Sequence, residues 1–346
     1  MRLIARLFAF CLLFTTLAAS AAQVEGLYEV REPVASQDPA ERAAAMGRAL
    51  QTLVVRLTGD RQAAQSARLQ PLLADPQQLV QQYVYESGNP VILAVSFDPV
   101  QSQRALSAAG LKLWNPARPG VLAWWLNEQD AGSTLVAGDQ EGVGALRAAA
   151  KNRGVPLSLP LGDLDEQLLA NADTLRSSDP QALRSASERY AADALLAVVA
   201  RNAGASWQAD WQLWVGSERV AGTSNAASQA ALADAVLLDV SEKLAARFTK
   251  AGAAQSLTLE VDGSDLARYA ALERLLEPFA PRLQAVAPGG RLVYQVAASP
   301  EQLRSQLQLG RLHELPAEAV AAQGAAGQNP PLQVPAAAAN RLRFAW

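Results

Sequence analysis

Apolar residues at Met46, Leu50, Leu53, Val54 and Leu57 recur three and four positions apart, the spacing that lines one face of a helix. Asp38-Pro39-Ala40-Glu41 opens that helix with a cap, an N1 proline and an N3 glutamate, and Gly59 supplies a left-handed stop. Before it, Val24 to Val30 reads as a strand. After it, Asp75-Pro76 predicts a second helix through Leu79, Val80 and Tyr83. Val91 to Phe97 is apolar at both alternating sets of positions, as in an inner strand. Asp98-Pro99 then caps a third helix that Gly110 ends, and Leu111 to Trp114 could close the module as a strand.

Asn115-Pro116-Ala117-Arg118-Pro119-Gly120 is dense in residues that break regular structure and predicts a boundary. A strand follows at Val121 to Leu126, then a helix from about Gly142 to Arg153, a short strand at Val155 to Leu157, and a helix from Asp179-Pro180 to Tyr190. The strand–helix alternation predicts a partly parallel sheet. Ala194 to Ala200 reads as a buried strand. Trp207, Ala209, Trp211, Leu213 and Val215 alternate with a more polar set, as in a half-buried strand, and Gly216-Ser217 turns into a partner near Val220. Leu232, Val236, Val240 and Leu244 stripe a long helix over residues 229–248.

Past Ala251-Gly252-Ala253-Ala254, Leu257, Leu259 and Val261 alternate as a strand, and a helix with Leu266, Tyr269, Leu272 and Leu276 follows Ser264. Two strands flank Pro288-Gly289-Gly290, and Ser299-Pro300-Glu301-Gln302 is a capping box for a last helix. The order β-α-β-β-α predicts a ferredoxin-like module. Residues 316–346, rich in Ala, Pro, Gly and Gln, show no period and read as a disordered tail. The expected architecture is α/β and α+β: several small modules with mixed sheets over residues 23–115, 116–252 and 253–315, then the tail.

The N-terminus changes the setting. Arg2 and Arg6, the apolar run Leu7 to Leu17 and the small residues Ala19-Ser20-Ala21-Ala22 form the three parts of a secretory signal peptide over residues 1–22. The run is shorter than the roughly 20 residues of a membrane span. A periplasmic protein is expected, with no transmembrane span after cleavage. Cys11, the single cysteine, lies inside the apolar run behind Phe10, where a lipid-bearing cysteine would not sit. Cleavage also takes two arginines, moving the net charge from −3 to about −5. No basic cluster offers a phosphate-binding face, so no nucleic-acid partner is expected.

Composition then excludes chemistry. His313 is the single histidine, so a zinc site of His and Cys, a cysteine nucleophile and a serine triad lacking His313 are all ruled out for the cleaved chain. Gly142-Val143-Gly144 lacks a third glycine, and no Gly-Lys pair forms a phosphate loop. No metal or cofactor is expected. Asp163, Asp165 and Glu166 could serve as catalytic carboxylates or simply begin a helix, and Asp139 and Glu141 beside glycines fit a turn better than a calcium loop. Trp207 and Trp211 read as core under the 229–248 helix. Trp214 falls on the polar face, and Trp124 and Trp125 point to opposite faces, so these three are the candidate partner contacts.

The Asp38-Pro39-Ala40-Glu41-Arg42 helix ending in Val55-Arg56-Leu57-Thr58-Gly59, with the Val121-Leu122-Ala123-Trp124-Trp125 strand, resembles a periplasmic domain-of-unknown-function family (2066) of Gram-negative bacteria. Arg189-Tyr190-Ala191-Ala192-Asp193-Ala194-Leu195-Leu196 and Trp207-Gln208-Ala209-Asp210-Trp211-Gln212-Leu213 make the middle segment similar to the TolB N-terminal domain, the curli secretion channel protein and the activators of penicillin-binding proteins. The resemblance implies a non-catalytic adaptor or assembly factor that binds an envelope protein or peptidoglycan-associated partner. The alternative is a carboxylate-dependent hydrolase acting on cell-wall glycan.

Overall fold

The computed structural model describes residues 22–23, 26–129, 132–138, 140, 142–248, 255–279, 281–287, 290–315 and 341–346. These fall into two compact units, residues 21–251 and, in the C-terminal part of the chain, 252–346. The fold is α/β and α+β, built from several modules.

The first unit starts with strand β1 (Ala22–Gln23), then β2 (Glu29–Val34) and helix α1 (Pro39–Thr58). The expected apolar face of α1 is buried at Met46, Leu50, Leu53, Val54 and Leu57, and Gly59 ends the helix at φ 62°. A short helix α2 (Gln70–Ala74) precedes β3 (Val80–Glu86), β4 (Val91–Phe97) and α3 (Pro99–Ala108). The antiparallel sheet β2-β4-β3 packs on α1. The helix expected from Asp75 through Tyr83 is corrected: a 3-10 turn at Pro76–Leu79 gives way to β3 at Val80, where the β-branched and aromatic residues Val80, Tyr83, Val84 and Tyr85 favour a strand. Leu111 to Trp114 is extended without sheet pairing, and the Trp114 N–H donates to the Leu57 carbonyl at 2.6 Å.

Beyond β5 (Ala117–Arg118), which pairs with β1, the second module of this unit is a three-layer sandwich. Its strands are β6 (Val121–Gln129), β7 (Gly132–Val136), β8 (Leu157–Ser158), β9 (Ala194–Asn202), β10 (Trp207–Val215) and β11 (Glu218–Ala226). The order is β11-β10-β9-β6-β7, with β8 on β6; β6 runs parallel to β9 and β8, and the other pairs are antiparallel. Helices α4 (Val143–Arg153) and α8 (Gln229–Phe248) cover one face. Three short helices cover the other: α5 (Leu164–Leu169), α6 (Ala172–Arg176) and α7 (Gln181–Ser187). Residues 121–127 and 194–200 are buried without a break because strands covered on both faces have no solvent side.

The breaker segment 115–120 is a buried joint within this unit. Arg118, fully buried, stacks on the Trp114 ring at 4.1 Å and donates to the carbonyls of Gly154 (2.6 Å) and Arg56 (2.7 Å). Arg56 donates in turn to the carbonyls of Asn152, Leu27 and Glu29 at 2.8–2.9 Å. Burial, reinforced by the charge of Arg56, lowers the Arg118 guanidinium to about 9, and burial with the charge of Arg153 lowers Arg56 to about 10. At the outer end of the same contact, Arg61 donates to Asp239 (2.6 Å) and Glu242 (2.7 Å) on α8, and Gly59 lies against Ala245.

The second unit contains β12 (Gln255–Asp262), α9 (Leu266–Leu276), β13 (Arg282–Ala287), β14 (Arg291–Ala298), α10 (Pro300–Leu309), β15 (His313–Glu314) and β16 (Arg341–Ala345). The order is β13-β14-β12-β16-β15. The ferredoxin-like order of the first three strands is present, but β16 lies between β12 and β15, parallel to β12 and antiparallel to β15. This corrects the expected tail at its end: residues 341–345 form a strand whose Leu342 and Phe344 are buried, while 316–340 lie outside the described residues.

Candidate functional site

All three tryptophans expected to face a partner are buried. Trp214 is 3% exposed, in the core beneath α6 and α7 with Leu175, Leu183 and Trp124. The face of β10 read as half-solvated is covered by α6 and by α7, the helix expected after Asp179-Pro180, whose place over this face the local pattern did not give. Trp124 shares that layer and donates to Ser187 Oγ at 3.0 Å, while Trp125 sits on the α4/α8 face and donates to Asn127 Oδ1 at 3.0 Å. Trp207 and Trp211 lie under α8 as the alternation predicted.

The carboxylates behave differently. Asp163 caps α5, accepting from the Glu166 N–H at 3.0 Å, and Glu166 closes the capping box from inside the protein. Its Oε2 accepts from the Gly162 N–H at 2.6 Å, and its Oε1 accepts from both Arg189 and the Tyr190 hydroxyl. Arg189 also donates to Asp163 Oδ2 at 2.6 Å, and the Tyr190 oxygen accepts from the Leu161 N–H at 2.8 Å. Burial pushes the Glu166 carboxyl up, but hydrogen bonds from Tyr190 and Arg189 outweigh it and hold the group below its usual range. The Glu166 N–H and Arg189 hold Asp163 low as well. Both acids are therefore held in the ionised form, the wrong state for a general acid. In the sequence Arg189 and Tyr190 stood only in the segment that carries the envelope-domain resemblance, and Asp163 and Glu166 in an acidic group; the fold makes them one cluster. Asp193, from the same run, accepts from the Gly120 N–H at 2.8 Å and fixes the start of β6.

What the cluster holds in place is apolar and outward. Leu164 and Leu168, four apart on one side of α5, are 69% and 70% exposed, and Leu161 in the preceding loop is 68% exposed. Of the other exposed apolar side chains of this unit, Val100 and Val220 stand on separate elements, while Tyr83 and Val84 are neighbours on β3. The signal for the leucine surface was present as a helical spacing, but spacing does not say which side of a short helix meets the core.

His313 lies on exposed β15, and its neighbour Glu314 accepts from Arg304 at 2.9 Å. Asp139 and Glu141 lie outside the described residues. Among the described residues, no group of three His, Cys, Asp or Glu could hold a metal ion, and no helix is long and apolar enough to cross a membrane. A small cavity lined by Trp125, Val136, Leu146 and Ala233 has room for about one water.

Residues 21–115 match a family model described as a domain of unknown function (DUF8605). That stretch takes in β1 to α3 and ends at Asn115, just short of Arg118. No curated protein and no solved structure matches the chain.

Proposed function

We propose that this chain is an exported periplasmic adaptor or assembly factor that uses the Leu161–Leu164–Leu168 surface to bind another envelope protein. The observation that carries the reading is the pairing of an exposed leucine surface with a self-satisfied ionic cluster. The cluster engages Asp163 and Glu166 in hydrogen bonds and fixes the loop and helix that present the leucines. Three solvent-facing leucines on one short segment cost solubility unless something covers them. The signal peptide read over residues 1–22 supplies the compartment, and the resemblances to envelope families, family 2066 included, point to the same class of role.

The test is site-specific photo-cross-linking in the envelope of the producing cell. A photoreactive residue at position 164 or 168 is expected to give one discrete adduct, absent with the label at Val100 and lost when Leu161 is changed to Asp. Equal adducts at all three positions, or turnover of purified sacculi by the isolated protein, would overturn the adaptor reading. N-terminal sequencing of the exported protein is expected to begin at Ala22 or Gln23.

A further inference from the structure

We infer that the Leu161–Leu164–Leu168 surface docks a basic segment of the partner protein, one that sets lysine or arginine beside large apolar residues. The inference rests on the adaptor reading above and adds the chemistry of what the surface holds.

The charge beside the leucines makes the choice. Asp165 lies on α5 three positions before Leu168, a neighbouring place on the helix surface. Glu188 belongs to the 3-10 turn Glu188–Tyr190, which is tied to the leucine segment at two points. Arg189 donates to Asp163 Oδ2 at 2.6 Å, and the Tyr190 oxygen accepts from the Leu161 N–H at 2.8 Å. Across residues 161–168 and 188–190, the carboxylates Asp163, Asp165, Glu166 and Glu188 stand against one cation, Arg189. That cation already pairs with Asp163 and Glu166. Asp165 and Glu188 are exposed, and among the described residues neither has an ion-pair partner. Three solvent-facing leucines therefore sit beside uncompensated negative charge.

That combination separates the possible occupants. A second copy docking through the same surface about a two-fold axis would bring like charges together at Asp165 and Glu188. A leaflet of anionic headgroups is repelled in the same way. A segment whose apolar residues are flanked by lysine or arginine covers the leucines and neutralises both acids. An apolar centre with charge at its rim is the usual anatomy of a specific interface. The Asp163–Glu166 capping box holds α5 in place before any partner arrives, which lowers the ordering cost of docking.

The test is photo-cross-linking from position 168 in the envelope of the producing cell, with the adduct analysed by mass spectrometry. The cross-linked partner segment is expected to hold more Lys and Arg than Asp and Glu, beside at least one large apolar residue. In an Asp165→Lys/Glu188→Lys variant the adduct is expected to fall about tenfold, and in Asp165→Asn/Glu188→Gln about threefold. Asp165→Glu/Glu188→Asp should retain it, and the purified variants should melt as the parent does. If charge reversal lowers the melting temperature, the Asn/Gln variant decides. A neutral or acidic partner segment, or a yield indifferent to all these changes, overturns the inference and leaves the adaptor reading standing. An adduct to lipid or to another copy of this chain overturns it as well. No adduct in the parent protein is the failure of the adaptor reading itself, and the inference falls with it.

Discussion

The Arg118 guanidinium donates to the main-chain carbonyl of Arg56 at 2.7 Å, so two arginines that belong to different modules meet in the interior with main-chain carbonyl oxygens as their hydrogen-bond acceptors among the described residues. Carbonyl dipoles around a planar fork satisfy the guanidinium donors and fix the angle at which the first sheet meets the second.

Arg118→Met is expected to destabilise the 21–251 unit by about 2–4 kcal/mol, because it orphans the buried carbonyls of Gly154 and Arg56 and removes the stack on Trp114. Arg118→Lys should recover less than half of that loss, since a single ammonium cannot reproduce the fork. Urea denaturation followed by tryptophan fluorescence measures both, and a loss below about 0.5 kcal/mol for Arg118→Met would show that the joint contributes little.

Gly154→Ala tests the same joint from the other side. Gly154 sits at φ 63°, and an added Cβ would lie 2.5 Å from Arg118 Nη1 and 2.8 Å from Arg56 Cγ. A cost of about 2–3 kcal/mol is expected, against at most about 1 kcal/mol for Gly144→Ala, whose Cβ would meet open space. Thermal melts of the two variants compare them directly.

The cluster around Glu166 should make the 161–190 segment acid-labile. Asp163 and Glu166 have folded pKa values held below their unfolded ones. Their stabilisation is present above the unfolded carboxylate range near pH 4 and is lost as pH falls through the lower folded values. Hydrogen exchange of residues 161–190 should accelerate across that window relative to β9 and β10. In a Glu166→Gln variant the excess acceleration should shrink, and an unchanged profile would place the acid sensitivity elsewhere.

Leu164→Ser and Leu168→Ser should leave the melting temperature unchanged within about 0.5 kcal/mol of stability, because both side chains already face solvent. Trp214→Ala, in the adjacent core, should cost about 3–5 kcal/mol. Loss of the envelope adduct in the leucine variants with a wild-type melt would separate binding from folding.

Phe344→Ala is expected to destabilise the C-terminal unit by about 3–5 kcal/mol through the cavity it leaves beside Val261, and to leave Arg118-dependent unfolding of the first unit unchanged. Two resolved transitions in calorimetry, with one shifted, check this.

The sequence alone determined the elements whose apolar period is long and whose ends are punctuated. Helix α1 between Asp38 and Gly59, α8 under Trp211, the inner strands at 121–126 and 194–200, and the capping box at Ser299 were all legible, because local sterics and burial on one face leave a periodic trace. Three things were decided only by tertiary structure. The buried state of Trp214 depends on α6 and α7, and a short helix, even one announced by Asp179-Pro180, does not say which face of a sheet it covers. The union of Asp163 and Glu166 with Arg189 and Tyr190 requires contacts more than twenty residues apart in the chain. The place of Leu342 and Phe344 required a partner strand: five alternating residues can lie in any sheet, and the free edges of β12 and β15, with Glu260 and Asp262 beside them, decide which one.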